Sequence, residues 1–260
     1  MISGCRGTIL MSGGSGLLGS EFVRLNPEII APSRGEMDIL DPESVNEWFL
    51  RVSPDVYIHA AAIVGTVECR SDPVAAMKAN AGSVLTAMLA CRQSGCRMVY
   101  ISSDSVFERG LEREGGCYRE EDPIGAVNIY PRSKIAGEMI LSALEDHLII
   151  RTSFVSRFKT KYKGAFCDQY TSRDFVDILA PQLLRAALSE LIGTIHIGSH
   201  RRSQYDLLRI AFPEIRPTRR RDVDSSLTAD SSLSSKVWRA WNSQFEDGRT
   251  VGEGESCDES

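Results

Sequence analysis

Tyr130 and Lys134 lie four residues apart in Tyr130-Pro131-Arg132-Ser133-Lys134. On a helix that spacing puts both side chains on one face. An ammonium beside a phenol favours the phenolate. The pair therefore predicts a tyrosine pKa drawn below its usual value near ~10, able to exchange a proton with a carbonyl or alcohol. With seven tyrosines and six lysines in the chain the spacing also arises by chance. It acquires meaning only if other elements bring a reactant to it.

Other segments offer that context. Ser102-Ser103-Asp104-Ser105 follows an apolar run ending at Ile101. A hydroxyl beyond a strand end can stabilise developing oxyanion charge, and Ser103 is the candidate. Asp104 reads as either a proton donor or a residue that orients this loop. Gly13-Gly14-Ser15-Gly16-Leu17-Leu18-Gly19 sits between the first strand-like run and the first helical pattern. That is the place for a turn that cradles a pyrophosphate against a helix N-terminus. After the second short run, where a carboxylate would bind ribose hydroxyls, stands Pro32-Ser33-Arg34. A hydroxyl and a guanidinium suit a 2′-phosphate, so NADP(H) is preferred over NAD(H).

The elements that must position these groups alternate. Thr8–Ser12 reads as a strand and 16–25 as a helix, followed by a short strand at 28–31. Asp41-Pro42 reads as an N-cap and N1 proline for a helix to Val52. Residues 55–59 form a strand, 73–94 a helix ended by Gly95, and 97–102 a strand. Residues 129–144 form a helix and 147–152 a strand. This rhythm predicts an α/β fold with a Rossmann-type, doubly wound parallel sheet over residues 1–152. Beyond it, 153–243 reads as a small, shortened substrate-binding lobe. It includes helices at 177–191 and 205–212 and a strand near 194–198 that returns to the sheet. Residues 244–260 read as an acidic, disordered tail.

The chain of 260 residues is 42% hydrophobic and carries a net charge of -5. That excludes a general affinity for nucleic acid. No run approaches the ~20 apolar residues of a membrane span, and the start lacks a signal-peptide core. The seven cysteines show no Cys-x-x-Cys spacing, which predicts reduced thiols in a cytoplasmic protein and no metal site. His59 reads as a packed or hydrogen-bonded residue. The basic run 216–221 reads as a solvated loop.

With the glycine loop, several further segments resemble the extended short-chain dehydrogenase/reductase superfamily, and within it the dTDP-4-dehydrorhamnose reductase family. They are Met37-Asp38-Ile39-Leu40-Asp41-Pro42, Pro54 to Ala62, Asn80-Ala81-Gly82, Tyr100 to Phe107, Tyr130 to Glu138, Ile150 to Phe154 and Ala229 to Leu233. The resemblance implies that Gly13, Gly14, Ser15, Gly16 and Leu17 hold the pyrophosphate, with Asp38 and Ile39 flanking the adenine. It implies that Ala60, Ala61 and Ala62 line the middle of the cofactor, with Ser102 beside them and Ser33 and Arg34 at its 2′-phosphate end. Lys134 would bind the nicotinamide ribose and tune Tyr130, and Ser103 stands where the family has a catalytic Thr or Ser. Ser105 replaces an aromatic residue and Phe154 a Trp, so both mark the substrate pocket, and the stretch 154–169 is shorter than usual.

Together these features predict reduction of a nucleotide-linked 4-keto sugar, with Tyr130 as proton donor. The expected partner is the nucleotide-sugar substrate, and a homodimer is compatible with the reading. Two alternatives remain open: an epimerase or dehydratase holding NAD, and a non-catalytic NADP-binding regulatory subunit.

Overall fold

The computed structural model describes residues 7–109, 116–160, 162–223 and 227–245. Four strands, β1 (Ile9–Ser12), β2 (Val56–His59), β3 (Arg97–Ser103) and β4 (His147–Thr152), are joined by a fifth, Gly193–His196. They lie in that order in one parallel sheet. The strand expected at 28–31 shrinks to Ile30, which bridges Leu10 on the free edge of β1. Pro27 and Pro32 flank it, and proline has no N–H with which to extend a ladder. Because Ile30 and β2 lie on opposite sides of β1, the chain reverses its direction of winding there. A ligand crevice is expected beyond the carboxyl ends of the strands at such a point.

Alternate strand residues feed two cores. Ile9, Met11, Ile58, Val99, Ile101, Leu148 and Ile150 pack with helices α1 (Leu17–Leu25) and α7 (Val176–Ala187). Leu10, Tyr57, Met98, Tyr100 and Ile149 pack under α2 (Pro42–Val52) and α5 (Ser83–Ser94). Helix α6 (Ile129–Leu141) lies beside α5 and supplies Leu141 to this second core. Asp41 caps α2 by accepting the Glu43 amide, with Pro42 at the first helical position.

Helices α3 (Thr66–Ser71) and α4 (Pro73–Met77) lead into α5 through a π-turn, Lys78–Gly82. The helix Pro73–Ser94 is apolar and long enough to cross a membrane by length and composition, but half of it is packed inside the fold. The sequence places α7 in the substrate lobe, yet Leu179, Ala180, Leu183 and Leu184 bury it against the sheet and α1. Trp238, on α9 (Lys236–Ser243), joins the same core.

The lobe itself holds three two-stranded ladders and the short helix α8 (Gln204–Leu208). The pairs are Phe154–Val155 with Asp174–Phe175, Tyr170–Thr171 with Arg202–Ser203, and Gly164–Phe166 with Arg216–Thr218. Ladders this short need side-chain ties. Arg202–Asp174 and Arg201–Asp230, each at 2.7 Å, and Arg157–Asp177 at 2.9 Å provide them. The basic run is not wholly a solvated loop: Arg216–Thr218 is a strand, and Arg220 clips Asp168 through its amide and its Nε.

Candidate active site

The crevice at the winding reversal has a volume of about 290 Å³. Gly13, Gly14, Ser15 and Gly16 form one wall, Ala60, Ala61 and Ala62 another, and Arg34, Asp38 and Ile39 one end. Gly13 has φ +83, and a Cβ there would sit 2.6 Å from the Ala61 amide nitrogen. Only glycine lets the two backbones approach this closely. Helix α1 begins at Gly16 with no side-chain cap and no acidic residue in its first turn. Its leading N–H groups are therefore left for an anion. No carboxylate among the described residues makes an ion pair with Arg34. Glycine cradle, open helix end and free guanidinium fit the pyrophosphate and phosphate groups of a dinucleotide.

Beneath the crevice His59 is fully buried, and burial lowers its pKa to about 3. Ser83 donates to the Ala79 carbonyl at 2.6 Å, so it accepts from His59 Nε2–H at 3.0 Å. Nδ1 is then left to accept from Ser12 at 2.9 Å. The neutral ring is a structural hub that braces Ser12 and Ala79 of the crevice wall, in line with the packed role read from the sequence.

The proton-transfer group gathers at the end of β3. Tyr130 lies close enough to Ser103 for that hydroxyl to draw its pKa down. Ser103 donates to Asp104 Oδ1 at 3.2 Å and accepts from the Ser105 hydroxyl at 2.9 Å and the Ser105 amide at 3.1 Å. Asp104 Oδ2 accepts from Ser231 at 3.0 Å. Asp104 thus serves as the orienting group of this loop, with both oxygens engaged. Desolvation of the Tyr130 hydroxyl pushes its pKa up to about 12; the Ser103 hydroxyl and the Arg173 guanidinium pull it down, and Asp104 and Cys69 raise it.

That result corrects the expectation that Lys134 lowers the tyrosine. Lys134 donates to the Ile101 carbonyl at 2.7 Å and lies 4.1 Å from the centre of the Tyr100 ring. Burial draws its own pKa down to about 7, with Glu138 opposing. The spacing does put both residues on α6, but the ammonium is folded into the sheet. Among the described residues the Arg173 guanidinium pulls the Tyr130 pKa down, a small effect beside burial.

Ser102 is likewise committed elsewhere. Adjacent strand residues face opposite ways, and the Ser102 hydroxyl donates to Glu138. Glu138 also shares the single Arg151 Nε–H between its two oxygens, at 3.1 and 3.2 Å, and accepts from Arg151 Nη2 at 2.8 Å. Arg151 reaches the Glu120 carbonyl and His196 Nε2, which is an acceptor because Nδ1–H faces the Tyr118 carbonyl. Ser102 therefore braces the buried network under Lys134 rather than the crevice.

The remaining expected residues are spread around the two regions. Leu17 opens α1 and is exposed. Ser33 is exposed at the crevice end, and its amide donates to Glu36 at 2.8 Å. Phe154 packs against the first core and pairs with Asp174.

Two contributors were given no role by the sequence. Asn80, on the π-turn, donates to the Ile63 carbonyl and to Ser133 and accepts the Ile63 amide, tying the crevice to α6. Its signal was a polar residue inside an apolar helix. Arg173 donates through Nε to Ser153 at 2.8 Å. The nearby carboxylates Asp174, Asp177 and Asp230 are paired with other arginines, and no sequence signal marks Arg173.

Residues 7–207 match the family model described as RmlD substrate binding domain. The spore coat polysaccharide biosynthesis protein SpsK of Bacillus subtilis is 35% identical over 154 residues, 56% of this chain and 53% of that protein. The chain thus spans about half the length of that relative. The dTDP-4-keto-6-deoxy-D-glucose reductase of Streptomyces niveus is 28% identical over 247 residues, 86% of this chain and 85% of that protein. Among solved structures, the dTDP-4-dehydrorhamnose reductase of Bacillus anthracis in complex with NADP superimposes with a TM-score of 0.79 at 23% identity, covering 89% of this chain and 92% of that one. The match over most of the chain, on a parallel sheet with a glycine turn and a Ser-Tyr-Lys group, places this chain in the RmlD family of the extended short-chain dehydrogenase/reductase superfamily.

Proposed function

We propose that this chain is an NADPH-dependent oxidoreductase that reduces a nucleotide-linked 4-keto sugar. The observation that carries the reading is that Tyr130 and Ser103 are brought together at the carboxyl end of β3, in the same fold as an uncapped glycine turn suited to a dinucleotide. The names of the relatives support the substrate class.

A bound dihydronicotinamide supplies the hydride to the ketone carbon. The chain's own residues handle the oxygen. Ser103 turns its hydroxyl proton from Asp104 to that oxygen as negative charge grows. Tyr130, at about 12, remains protonated at neutral pH. An alkoxide is more basic than this phenolate, so the proton passes from Tyr130 to the new alcohol. Arg173 stabilises the tyrosinate left behind. Gly13 to Gly16, with Ala60 to Ala62, hold the dinucleotide, and Ser33 and Arg34 face its 2′-phosphate end. Ser105 and Phe154 border the sugar, where they replace bulkier residues of the family pattern.

The nucleotide-sugar is the one partner this reading requires. It places the enzyme in the cytoplasm, and size-exclusion chromatography tests the homodimer. The activity is tested by following NADPH and NADH oxidation against dTDP-, UDP-, GDP- and CDP-linked 4-keto sugars. Faster NADPH oxidation with at least one of them is expected. No oxidation with any, together with stable co-purification with another enzyme, would favour the regulatory-subunit reading instead.

A further inference from the structure

The segment Pro32-Ser33-Arg34-Gly35-Glu36 closes one end of the crevice. A 2′-phosphate arriving there would use three donors: the Ser33 amide, the Ser33 hydroxyl and the Arg34 guanidinium. The first is already occupied. Glu36 Oε2 accepts the Ser33 amide at 2.8 Å, and the Ser33 hydroxyl lies near the same carboxylate and lowers its pKa. The Glu36 and Met37 amides both return to the Ser33 carbonyl at 3.0 Å. The segment thus forms a reciprocal capping turn that holds the carboxylate against Ser33. Trp48 Nε1 donates to the Glu36 carbonyl at 2.8 Å and pins the turn to α2. These Ser33 contacts also keep the Glu36 pKa low, so the group is charged at neutral pH. Arg34, the third donor, lines the crevice.

We propose that Glu36 is an intramolecular competitor for the cofactor 2′-phosphate, its carboxylate occupying the Ser33 amide that the phosphate would take. This rests on the dinucleotide reading given above. A 2′-phosphorylated dinucleotide binds by displacing Glu36 from Ser33 while Arg34 draws the phosphate in. An unphosphorylated one leaves the Glu36–Ser33 turn intact. Arg34 and Glu36 therefore act in opposition, and the preference between NADP(H) and NAD(H) follows their balance rather than Arg34 alone.

The test uses calorimetric titration of the full chain with 2′,5′-ADP and with ADP at fixed ionic strength. Glu36→Gln keeps an acceptor oxygen for the turn but removes the charge. It is expected to tighten 2′,5′-ADP about two- to fivefold, the size of an exposed charge interaction, with ADP unmoved. Arg34→Gln is expected to weaken 2′,5′-ADP about tenfold with ADP unmoved. Glu36→Ala, which frees the Ser33 amide altogether, should move 2′,5′-ADP in the same direction as Glu36→Gln. If both Glu36 variants leave the ratio of the two affinities unchanged, or weaken both ligands together, Glu36 is only a turn cap and the proposal falls. If the unaltered chain binds neither ligand, the dinucleotide reading falls and takes the proposal with it. Neither readout depends on the sugar, so failure of the keto-sugar assay is a separate result.

Discussion

The crevice and the proton-transfer face are built from different materials. The crevice is made of backbone: a glycine turn at φ +83, an uncapped helix end and three consecutive alanines after β2. The face beside it is made of side chains that hold one another. Tyr130 rests on Ser103, Ser103 on Asp104, and Asp104 on Ser231, which is 127 residues away in the chain. Lys134, Glu138, Arg151 and His196 form a second tier beneath. A backbone site depends on residues that are small or left-handed. A side-chain site depends on partners from distant elements, and its electrostatics follow burial more than sequence spacing.

If that contrast is right, substitutions should separate the two regions. The largest expected effect is on chemistry. Tyr130→Phe should lower turnover by about 10²–10⁴-fold while 2′,5′-ADP still binds with unaltered affinity. Steady-state rates and calorimetry measure the two halves of that statement, and a parallel loss of binding would merge the two regions into one. Next comes the lower tier. Glu138 and Arg151 side chains are 5% and 6% exposed and 2.8 Å apart. Glu138→Ala leaves a buried guanidinium without its carboxylate and should cost about 3–5 kcal/mol in urea unfolding.

Lys134 gives a pH-dependent test of the same tier. Its folded pKa is about 7, against ~10.4 in the unfolded chain. Between those values the folded chain binds fewer protons, so stability rises with pH. The cost of the buried ammonium is complete below pH 7 and disappears as pH passes the unfolded value. The difference in unfolding free energy between the unaltered chain and Lys134→Met should therefore move in favour of the unaltered chain from pH 7 to pH 9, by at most about 1.4 kcal/mol per pH unit. A flat difference would show that the lysine is not desolvated.

The smallest expected effect on stability falls on the backbone region. Gly13→Ala places a Cβ 2.6 Å from the Ala61 nitrogen at a positive φ. The left-handed conformation alone costs about 1–2 kcal/mol, read as a lowered Tm. Loss of ADP binding should accompany it, since the added methyl pushes Ala60 and Ala61 into the crevice. Normal ADP binding would mean that the turn adapts and that the crevice is less rigid than its geometry implies.

Much of the fold was legible because it is written locally. Apolar runs at β1 to β4, the Asp41-Pro42 start of α2, Gly95 after α5 and the glycine turn are signals within a few residues of what they produce. The strand at 28–31 failed because two prolines cut its ladder to one residue. Helix α7 was placed in the lobe because its sequence says only that it has an apolar face, not which surface that face meets.

The amino-acid sequence by itself determined the parallel architecture, the phosphate turn and the residue types of the proton relay, because periodicity and backbone freedom are properties of short segments. Only the tertiary structure decided how those residues are charged and what they touch. It turned Lys134 toward Ile101 and Tyr100, gave Ser102 to Glu138, set Arg173 near Tyr130, and closed Glu36 over Ser33. Desolvation and long-range hydrogen bonding depend on everything packed around a group, and sequence spacing specifies neither.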